Sequence, residues 1–222
     1  MRISDLSGLE QISIASELRD VCRLGVIQIE GVRIRESSDE LKALINELAD
    51  GVASRYGGSA LGEIPEVQAV RKIFHRTGLD PTRHRPSSES LLRRVVKGKG
   101  LFFINSAVDL VNYFSLKTLL PMGLYDAERI TPPIEFRAGR EGETYEGIGR
   151  ETLHLAHFPL LADSEGPFGS AVSDSVRTQV SEGCTRLLWV TFAPAGTEIA
   201  LSDFARGMTR FNGGIAAAVA CL

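Results

Sequence analysis

The chain has few cysteines, and they do not form a recognisable set. Cys22, Cys184 and Cys221 are widely spaced, and no Cys-x-x-Cys pair is present. A disulfide framework in a small secreted domain needs an even, dense set, and a cysteine zinc site needs closely spaced ligand pairs. The spacing therefore argues against both, and it favours the reducing cytoplasm as the compartment.

Long apolar runs are also missing. No run reaches the roughly 20 residues that a membrane-spanning helix needs. The N-terminal stretch MRISDLSGLEQ has no apolar segment behind its positive charge, so we expect no signal peptide. The last stretch, GGIAAAVACL, predicts a terminal helix or a partly ordered tail. Since 43% of the 222 residues are hydrophobic, the sequence predicts a globular chain with no membrane partner.

Several chemistry-bearing motifs are absent. There is no GxxxxGK[ST] phosphate loop and no GxSxG serine elbow, and the GIG at Gly147 to Gly149 lacks the third glycine of a dinucleotide fingerprint. His154 and His157 would point to opposite faces of a strand, and no cysteine or acid sits beside them to complete a ligand set. We therefore expect neither a metal nor a cofactor.

The chain lacks an overall positive charge, and its positive charge is local. Its formal net charge is −3, which argues against a nonspecific nucleic-acid binder, and we expect no DNA partner. Residues 71–100 nevertheless contain nine Lys and Arg against two acidic residues. This segment is either a solvated helix face or a local polyanion site. The candidate RNA contacts are Arg71, Arg83, Arg85, Arg93, Arg94, Lys97 and Lys99.

Hydrophobic periodicity predicts helices in the first half of the chain. A strand is expected from Leu24 to Ile34, broken by Gly31. Ser37 and Glu40 form a capping-box pattern before the first helix. The predicted helices cover 37–56, 66–76 and 88–97, and a fourth capped by Asn105, which would bring Asp109, Asn112 and Tyr113 close together.

After Pro121 the pattern changes to short strand-like runs separated by glycine and proline. Helices early and strands late predict an α+β fold rather than a repeating parallel α/β fold.

Within that half, the segment ADSEGPFGSAVSDSVRT, residues 162–178, is typical of a loop that forms a pocket, because glycines let a ligand approach the backbone. A long surface turn with local hydrogen bonds explains it equally well. The polar candidates are Asp163, Ser173, Asp174, Arg177 and Thr178.

The order of five motifs resembles the B3/B4 domain of the phenylalanyl-tRNA synthetase beta subunit, and more narrowly the free-standing proteins made of that domain. The motifs are GLDPTRHRPSSESLLRRVVKGK, INSAVDLVNYFSL, LPMGLYD, IEFRAGREGETYEGIG and LLADSEGPFGSAVSDSVRT. The resemblance covers Glu66 to Pro194. It implies a single α+β domain with a mixed β-sheet and surrounding helices, in which residues 66–222 form the B3/B4-like domain and residues 1–65 its N-terminal part.

In the synthetase this domain removes tyrosine wrongly attached to tRNA. The resemblance implies that Asn112 lies in the editing pocket and that residues 163–178 line it, with Gly169 at a position of close approach. Gly123 stands where the synthetase typically has a histidine, and Trp189 stands near the place of a recognition glutamate. A changed pocket is therefore expected.

These features lead to two hypotheses. The first is a trans-editing deacylase acting on a mischarged tRNA, with Asn112 or backbone N–H groups near Gly169 stabilising an oxyanion and Asp163 or Asp174 orienting water. The second is a noncatalytic module that binds tRNA, another RNA or an amino acid.

Overall fold

The structure is a computed structural model that describes residues 11–149 and 152–222. Residues 1–10, which carry the signal-peptide expectation, lie outside these ranges. The helices are α1 (Asp39–Tyr56), α2 (Pro65–Thr77), α3 (Ser87–Val96), α4 (Ser106–Thr118) and α5 (Leu201–Asn212). The strands are β1 (Ile12–Ile14), β2 (Cys22–Glu30), β3 (Met122–Asp126), β4 (Ile134–Ala138), β5 (Thr144–Glu146), β6 (Thr152–His154), β7 (Pro159–Asp163), β8 (Gly166–Ser170), β9 (Arg186–Pro194) and β10 (Ile215–Cys221).

The strands form two four-stranded sheets and one hairpin. Sheet A has the order β1-β4-β7-β8, sheet B has the order β10-β2-β9-β3, and β5 pairs with β6. Among the described residues, all strand pairs are antiparallel except β1 with β4. Phe136 of sheet A contacts Phe192 of sheet B, with ring centroids 5.4 Å apart, so one part of the core lies between the sheets. The α+β prediction is confirmed.

The helices α4 and α5 cover the other face of sheet B. Phe114 of α4 and Phe204 of α5 pack together with ring centroids 4.7 Å apart. Both rings also contact Trp189 of β9. The strand β3 is at one edge of sheet B, and it packs against α4, so this arrangement positions the candidate site.

The first helix begins one residue later than its capping pattern indicated. Ser38, not Ser37, accepts a hydrogen bond from the Leu41 N–H and starts α1. The Ser37 hydroxyl instead donates to the buried carboxylate of Asp109 at 2.5 Å. The predicted limits of α2 and α3 lie within one residue of the observed ones, because their apolar stripes specify them, and α4 begins directly after its predicted cap Asn105. No side chain caps α2 or α3.

Three segments differ from expectation. The stretch after Gly213 is the strand β10, paired with β2, and not a helix or tail. Residues 201–212 form α5, which ends at Gly213 with a left-handed φ of 69°. The predicted loop 162–178 contains β8, which forms a hairpin with β7. No helix in the described ranges is both long and apolar enough to cross a membrane.

Candidate functional site

A small cleft opens between α4 and the edge strand β3. Its volume is about 120 Å³. Pockets for drug-sized ligands are typically about 300–1,000 Å³, so this cleft admits only a much smaller group. Its lining is mostly apolar, with three polar side chains. The lining residues are Ile104, Val108, Val111, Asn112, Met122, Leu124, Ile148, Asp174, Gln179 and Val180.

Helix α4 presents Asn112 to this cleft. The Asn105 side chain accepts hydrogen bonds from two backbone N–H groups of the first turn and so fixes where α4 starts. Asp109 is buried against Ser37 and does not line the cleft. Tyr113 lines a larger groove, of about 540 Å³, between α1 and α4. Of the three polar residues of the DLVNY motif, only Asn112 lines the cleft.

Asp174 is held beside the cleft by a buried tyrosine. The Tyr125 hydroxyl donates to its Oδ1 atom at 3.0 Å, and the Ser170 N–H donates to the same atom at 3.3 Å. Burial raises the pKa of the Asp174 carboxyl to about 7, although these hydrogen bonds lower it. Burial and the nearby carboxylate raise the pKa of Tyr125 well above its ordinary value. The tyrosine therefore stays a proton donor, and the carboxyl exchanges its proton near neutral pH.

The Tyr125 ring occupies the space between two glycines. Tyr125 is fully buried. A Cβ atom at either Gly123 or Gly169 would overlap its ring and hydroxyl. The resemblance implied that a ligand approaches the backbone beside Gly169, but the structure fills this space with Tyr125. Glycine at both positions makes room for this side chain and, through it, sets the position of Asp174.

The loop that carries Asp174 is fixed by its own hydrogen bonds. The Tyr145 hydroxyl and the Ser170 hydroxyl both donate to the Ser173 carbonyl. The Ser173 N–H donates back to the Ser170 hydroxyl at 3.1 Å. Ser173 therefore shapes the turn through its backbone, and the turn is preorganised rather than loose.

The other polar residues of this segment lie away from the cleft. Arg177 forms two hydrogen bonds with Asp163, at 2.9 and 3.1 Å, and the Asp163 side chain is fully buried. Asp163 also accepts from the Thr131 N–H. Thr178 is buried and donates to the Phe168 carbonyl. These three candidates connect the hairpin to its neighbours, and none of them lines the cleft.

Trp189 lies in the core on the helix-covered face of sheet B. It is fully buried, and its ring stacks on Phe204 at 5.3 Å with an interplanar angle of 9°. Its cross-strand neighbour is Leu124, which does line the cleft. Trp189 therefore lies beside Leu124 on the same face of sheet B, and it does not itself line the cleft.

The cationic segment forms a surface beside α3, organised around one buried acid. The Glu89 carboxylate accepts two hydrogen bonds from Arg71, at 2.8 and 2.9 Å, and one from Arg93 at 2.7 Å. Burial by itself would raise the pKa of the Glu89 carboxyl, but the two guanidinium groups hold it below its ordinary value. This cluster retains a net positive charge and holds both arginines in place.

The remaining cations extend this surface. A shallow groove of about 270 Å³ is lined by Arg85, Ser90, Arg93, Arg94, Lys97 and Lys99. We name this groove and Arg71 the basic surface. Arg83 is exposed in the turn that precedes α3 and does not line the groove.

Sequence reasoning did not single out Tyr125 and Tyr145. Tyr125 is part of the LPMGLYD motif. The available signal was the spacing of Gly123 and Tyr125, because residues two apart lie on the same face of a strand. Tyr145 provided no such signal, because its partners Ser170 and Ser173 come from a distant segment.

Comparison with known families tests the motifs that build this site. A family model described as the B3/4 domain matches residues 69–212, which include every residue of the cleft and the basic surface. The chain belongs to the B3/4 domain family. The resemblance drawn from the motifs is therefore confirmed.

Individual relatives are similar to this B3/4 chain over part of their length. The phenylalanine–tRNA ligase beta subunit of Neisseria meningitidis serogroup B is 29% identical over 108 residues, 44% of this chain and 14% of that protein. The same subunit of Paramagnetospirillum magneticum is 30% identical over 156 residues, 70% of this chain and 19% of that protein. The chain thus spans less than a fifth of these relatives.

A solved structure is also similar. It is an N-terminal fragment of the phenylalanyl-tRNA synthetase beta subunit from Pyrococcus horikoshii, with a TM-score of 0.45 and 16% sequence identity. The match covers 92% of this chain and 49% of that one.

Proposed function

We propose that this B3/4 chain hydrolyses the ester of a mischarged aminoacyl-tRNA in trans, in the cytoplasm. The observation that carries the proposal is the Asp174 carboxyl, whose pKa is raised to about 7 where it lines the same small cleft as the Asn112 amide. A general base is most effective when its pKa lies near the working pH.

The chemistry needs few groups, because an aminoacyl ester is already activated. In the proposed reaction Asp174 takes a proton from water while the water oxygen bonds to the ester carbonyl carbon. The Asn112 amide donates to the developing oxyanion. The bond to the ribose oxygen then breaks, and Asp174 returns the proton to that oxygen. The products are the free amino acid and uncharged tRNA.

The size of the cleft supports an aminoacyl substrate. A volume of about 120 Å³ takes an amino-acid side chain but not a nucleotide. Its mostly apolar lining would admit side chains that are small enough to fit. It would disfavour side chains whose polar groups would lose their hydrogen bonds there, which is how a second, editing site selects its substrate. The RNA body would then lie outside the cleft, where the basic surface offers positive charge.

A panel of correctly and incorrectly aminoacylated tRNAs tests the proposal. We expect selective loss of the ester from one mischarged species, measured as free amino acid released above the spontaneous rate. Correctly charged tRNAs serve as the matched control. Equal rates with and without the protein for every species would overturn the deacylase.

A second candidate is a noncatalytic tRNA-binding module. One observation favours it: Tyr125 fills the space beside Gly123 and Gly169, which leaves little room for a substrate there. Release of amino acid in the panel separates the two candidates, since the module predicts binding without hydrolysis.

Both candidates predict that tRNA affinity depends on salt through the basic surface. Replacing Lys97 and Lys99 with Gln should lower the slope of log affinity against log salt by about 2, roughly one for each phosphate that is no longer neutralised. Filter binding of uncharged tRNA between low and moderate salt measures this slope. Lys117 of α4 and Arg206 of α5 are two exposed cations that line a separate groove, outside the basic surface. Replacing both should leave the slope unchanged. If both double variants lower the slope equally, the RNA does not bind at the basic surface.

A further inference from the structure

Three neighbouring apolar side chains are exposed between α3 and α4. Phe102 is 64% exposed, Phe103 42% and Ile104 62%. Two adjacent aromatic rings in water are costly to leave uncovered, and such patches commonly mark a binding surface. We name residues 102–104 the aromatic segment.

The backbone of this segment is held in place. Leu101 is buried at one end, and Asn105 is buried at the other, where it caps α4. The Ile104 N–H donates to the Asp109 carboxylate at 2.8 Å. Asp109 is buried and also accepts from the Ser37 hydroxyl. The rings therefore stand on a fixed backbone, so little backbone entropy is lost when a ligand binds them.

The aromatic segment joins the two parts of the site. The Arg94 guanidinium, part of the basic surface, lies 3.6 Å from the centroid of the Phe102 ring. The Lys42 ammonium lies 5.9 Å from the centroid of Phe103. At the other end Ile104 lines the cleft. A ligand that follows the segment passes from positive charge over exposed rings to the cleft.

The basic surface, the aromatic segment and the cleft follow one another in space, and this order fits an unpaired strand of nucleic acid. Phosphates are attracted by cations such as Arg94, and bases stack on aromatic rings whatever their sequence. The Lys42 ammonium is paired with the exposed Glu36 carboxylate at 2.7 Å, so Arg94 and the basic surface supply the positive charge. An apolar protein partner would have to cover the Arg94 guanidinium at 3.6 Å from Phe102 without an acidic group to pair with it, which costs free energy. The charge complementarity therefore favours RNA over a protein partner.

We infer that Phe102 and Phe103 form a stacking platform for the unpaired 3′ nucleotides of a tRNA and so direct the attached amino acid into the cleft. The inference rests on the proposed function for the identity of the RNA. It goes beyond that function by assigning the unpaired 3′ nucleotides of the substrate to the surface between the basic surface and the cleft.

The test compares uncharged tRNA that has its unpaired 3′ end with the same tRNA trimmed of those nucleotides. Replacing both Phe102 and Phe103 with Ala should weaken binding of the intact tRNA about tenfold or more, since stacking of each base is worth about 5- to 160-fold in affinity. Binding of the trimmed tRNA should not change. Replacing both with Leu keeps apolar contact without ring stacking and should weaken binding of the intact tRNA nearly as much.

Val219→Ala is the matched control, because Val219 is an exposed apolar residue on β10, at the opposite edge of sheet B from the cleft. It should bind both RNAs like the parent. Unchanged binding of the intact tRNA by the Ala variant, an equal loss for both RNAs, or full binding by the Leu variant would each overturn the platform.

The binding assay uses no ester, so it is independent of hydrolysis. If the Ala variant binds the intact tRNA more weakly but the parent protein releases no amino acid from any charged tRNA, the deacylase is refuted and the platform is retained. Hydrolysis with unaltered binding by the Ala variant would refute the platform and keep the deacylase.

Discussion

Replacing Asp174 with Asn is expected to slow aminoacyl-ester hydrolysis by about 10²- to 10⁴-fold, the usual contribution of a general base. Asn keeps an acceptor oxygen for Tyr125 and Ser170, so the turn should keep its shape. Single-turnover hydrolysis of the species selected in the panel, with tRNA affinity measured in parallel, checks that the loss lies in the chemical step. Full activity in the Asn variant would remove Asp174 from the mechanism.

The pH dependence of the rate provides an independent readout. Because the carboxylate is the reactive form and the pKa of Asp174 is about 7, the rate should rise with pH and level off above neutrality. Tyr125→Phe removes a hydrogen bond that lowers this pKa, so the rising limb should move to higher pH while the ring still packs. A profile that is flat from pH 5 to 9 would contradict the assignment.

The raised pKa of Asp174 makes the hydrolysis rate rise with pH, but it makes the stability of the fold decrease with pH. The folded pKa lies above the ordinary value of 3.8, so between about pH 4 and pH 7 the folded chain binds the proton more tightly than the unfolded chain. This contribution to stability is full below pH 4 and is lost as the pH rises through 7. Little of it remains at neutral pH, so Asp174→Asn should stay folded there, and its loss of activity would not come from unfolding.

Gly123→Ala and Gly169→Ala are expected to lower the free energy of unfolding by about 3 kcal/mol each, at the upper end of what overpacking costs. The added Cβ would overlap Tyr125 in both variants, and a ring that is fully buried has no space into which to move. Urea unfolding midpoints measure the effect.

Gly51→Ala is the matched control for these variants. Gly51 lies within α1, and a Cβ there meets nothing within 4 Å. The change should stabilise by about 0.5–1 kcal/mol, since alanine loses less backbone entropy in a helix. In Gly123→Ala combined with Tyr125→Ala, the total loss should be smaller than the sum of the single losses, because the clash is gone. Additive losses would show that the overlap is not the cause.

Much of the first half of the fold could be predicted, because local signals and tertiary packing agree there. The N-cap of Asn105 and the apolar stripes of α2 and α3 specify helices that the core then uses. The capping pattern predicted α1 but placed its start one residue too early. The Ser37 hydroxyl donates to Asp109, which is far along the chain, and so it does not cap the helix.

The C-terminal strand could not be predicted, because tertiary pairing overrides local preference. An alanine-rich segment favours a helix by intrinsic propensity. Residues 215–221 nevertheless pair with β2 along its free edge, and that edge is formed by residues nearly two hundred positions earlier.

The candidate site could be predicted only in part, for a similar reason. Asn112 and Asp174 belong to recognisable motifs, and the structure brings both to one cleft. Asp163 looked equivalent to Asp174 in the sequence, yet it is neutralised by Arg177. The difference lies in which partner each carboxylate meets across the fold, and residue type does not specify that.

The stacked arrangement of Trp189 and Phe204 gives the chain a built-in optical probe. The sequence contains one tryptophan, so all of its indole fluorescence originates from one known place on the helix-covered face of sheet B. That indole is shielded from water and pairs across the strands with Leu124, which lies between Gly123 and Tyr125 in the chain. Emission from this single ring therefore follows the packing of the cleft wall without any added label.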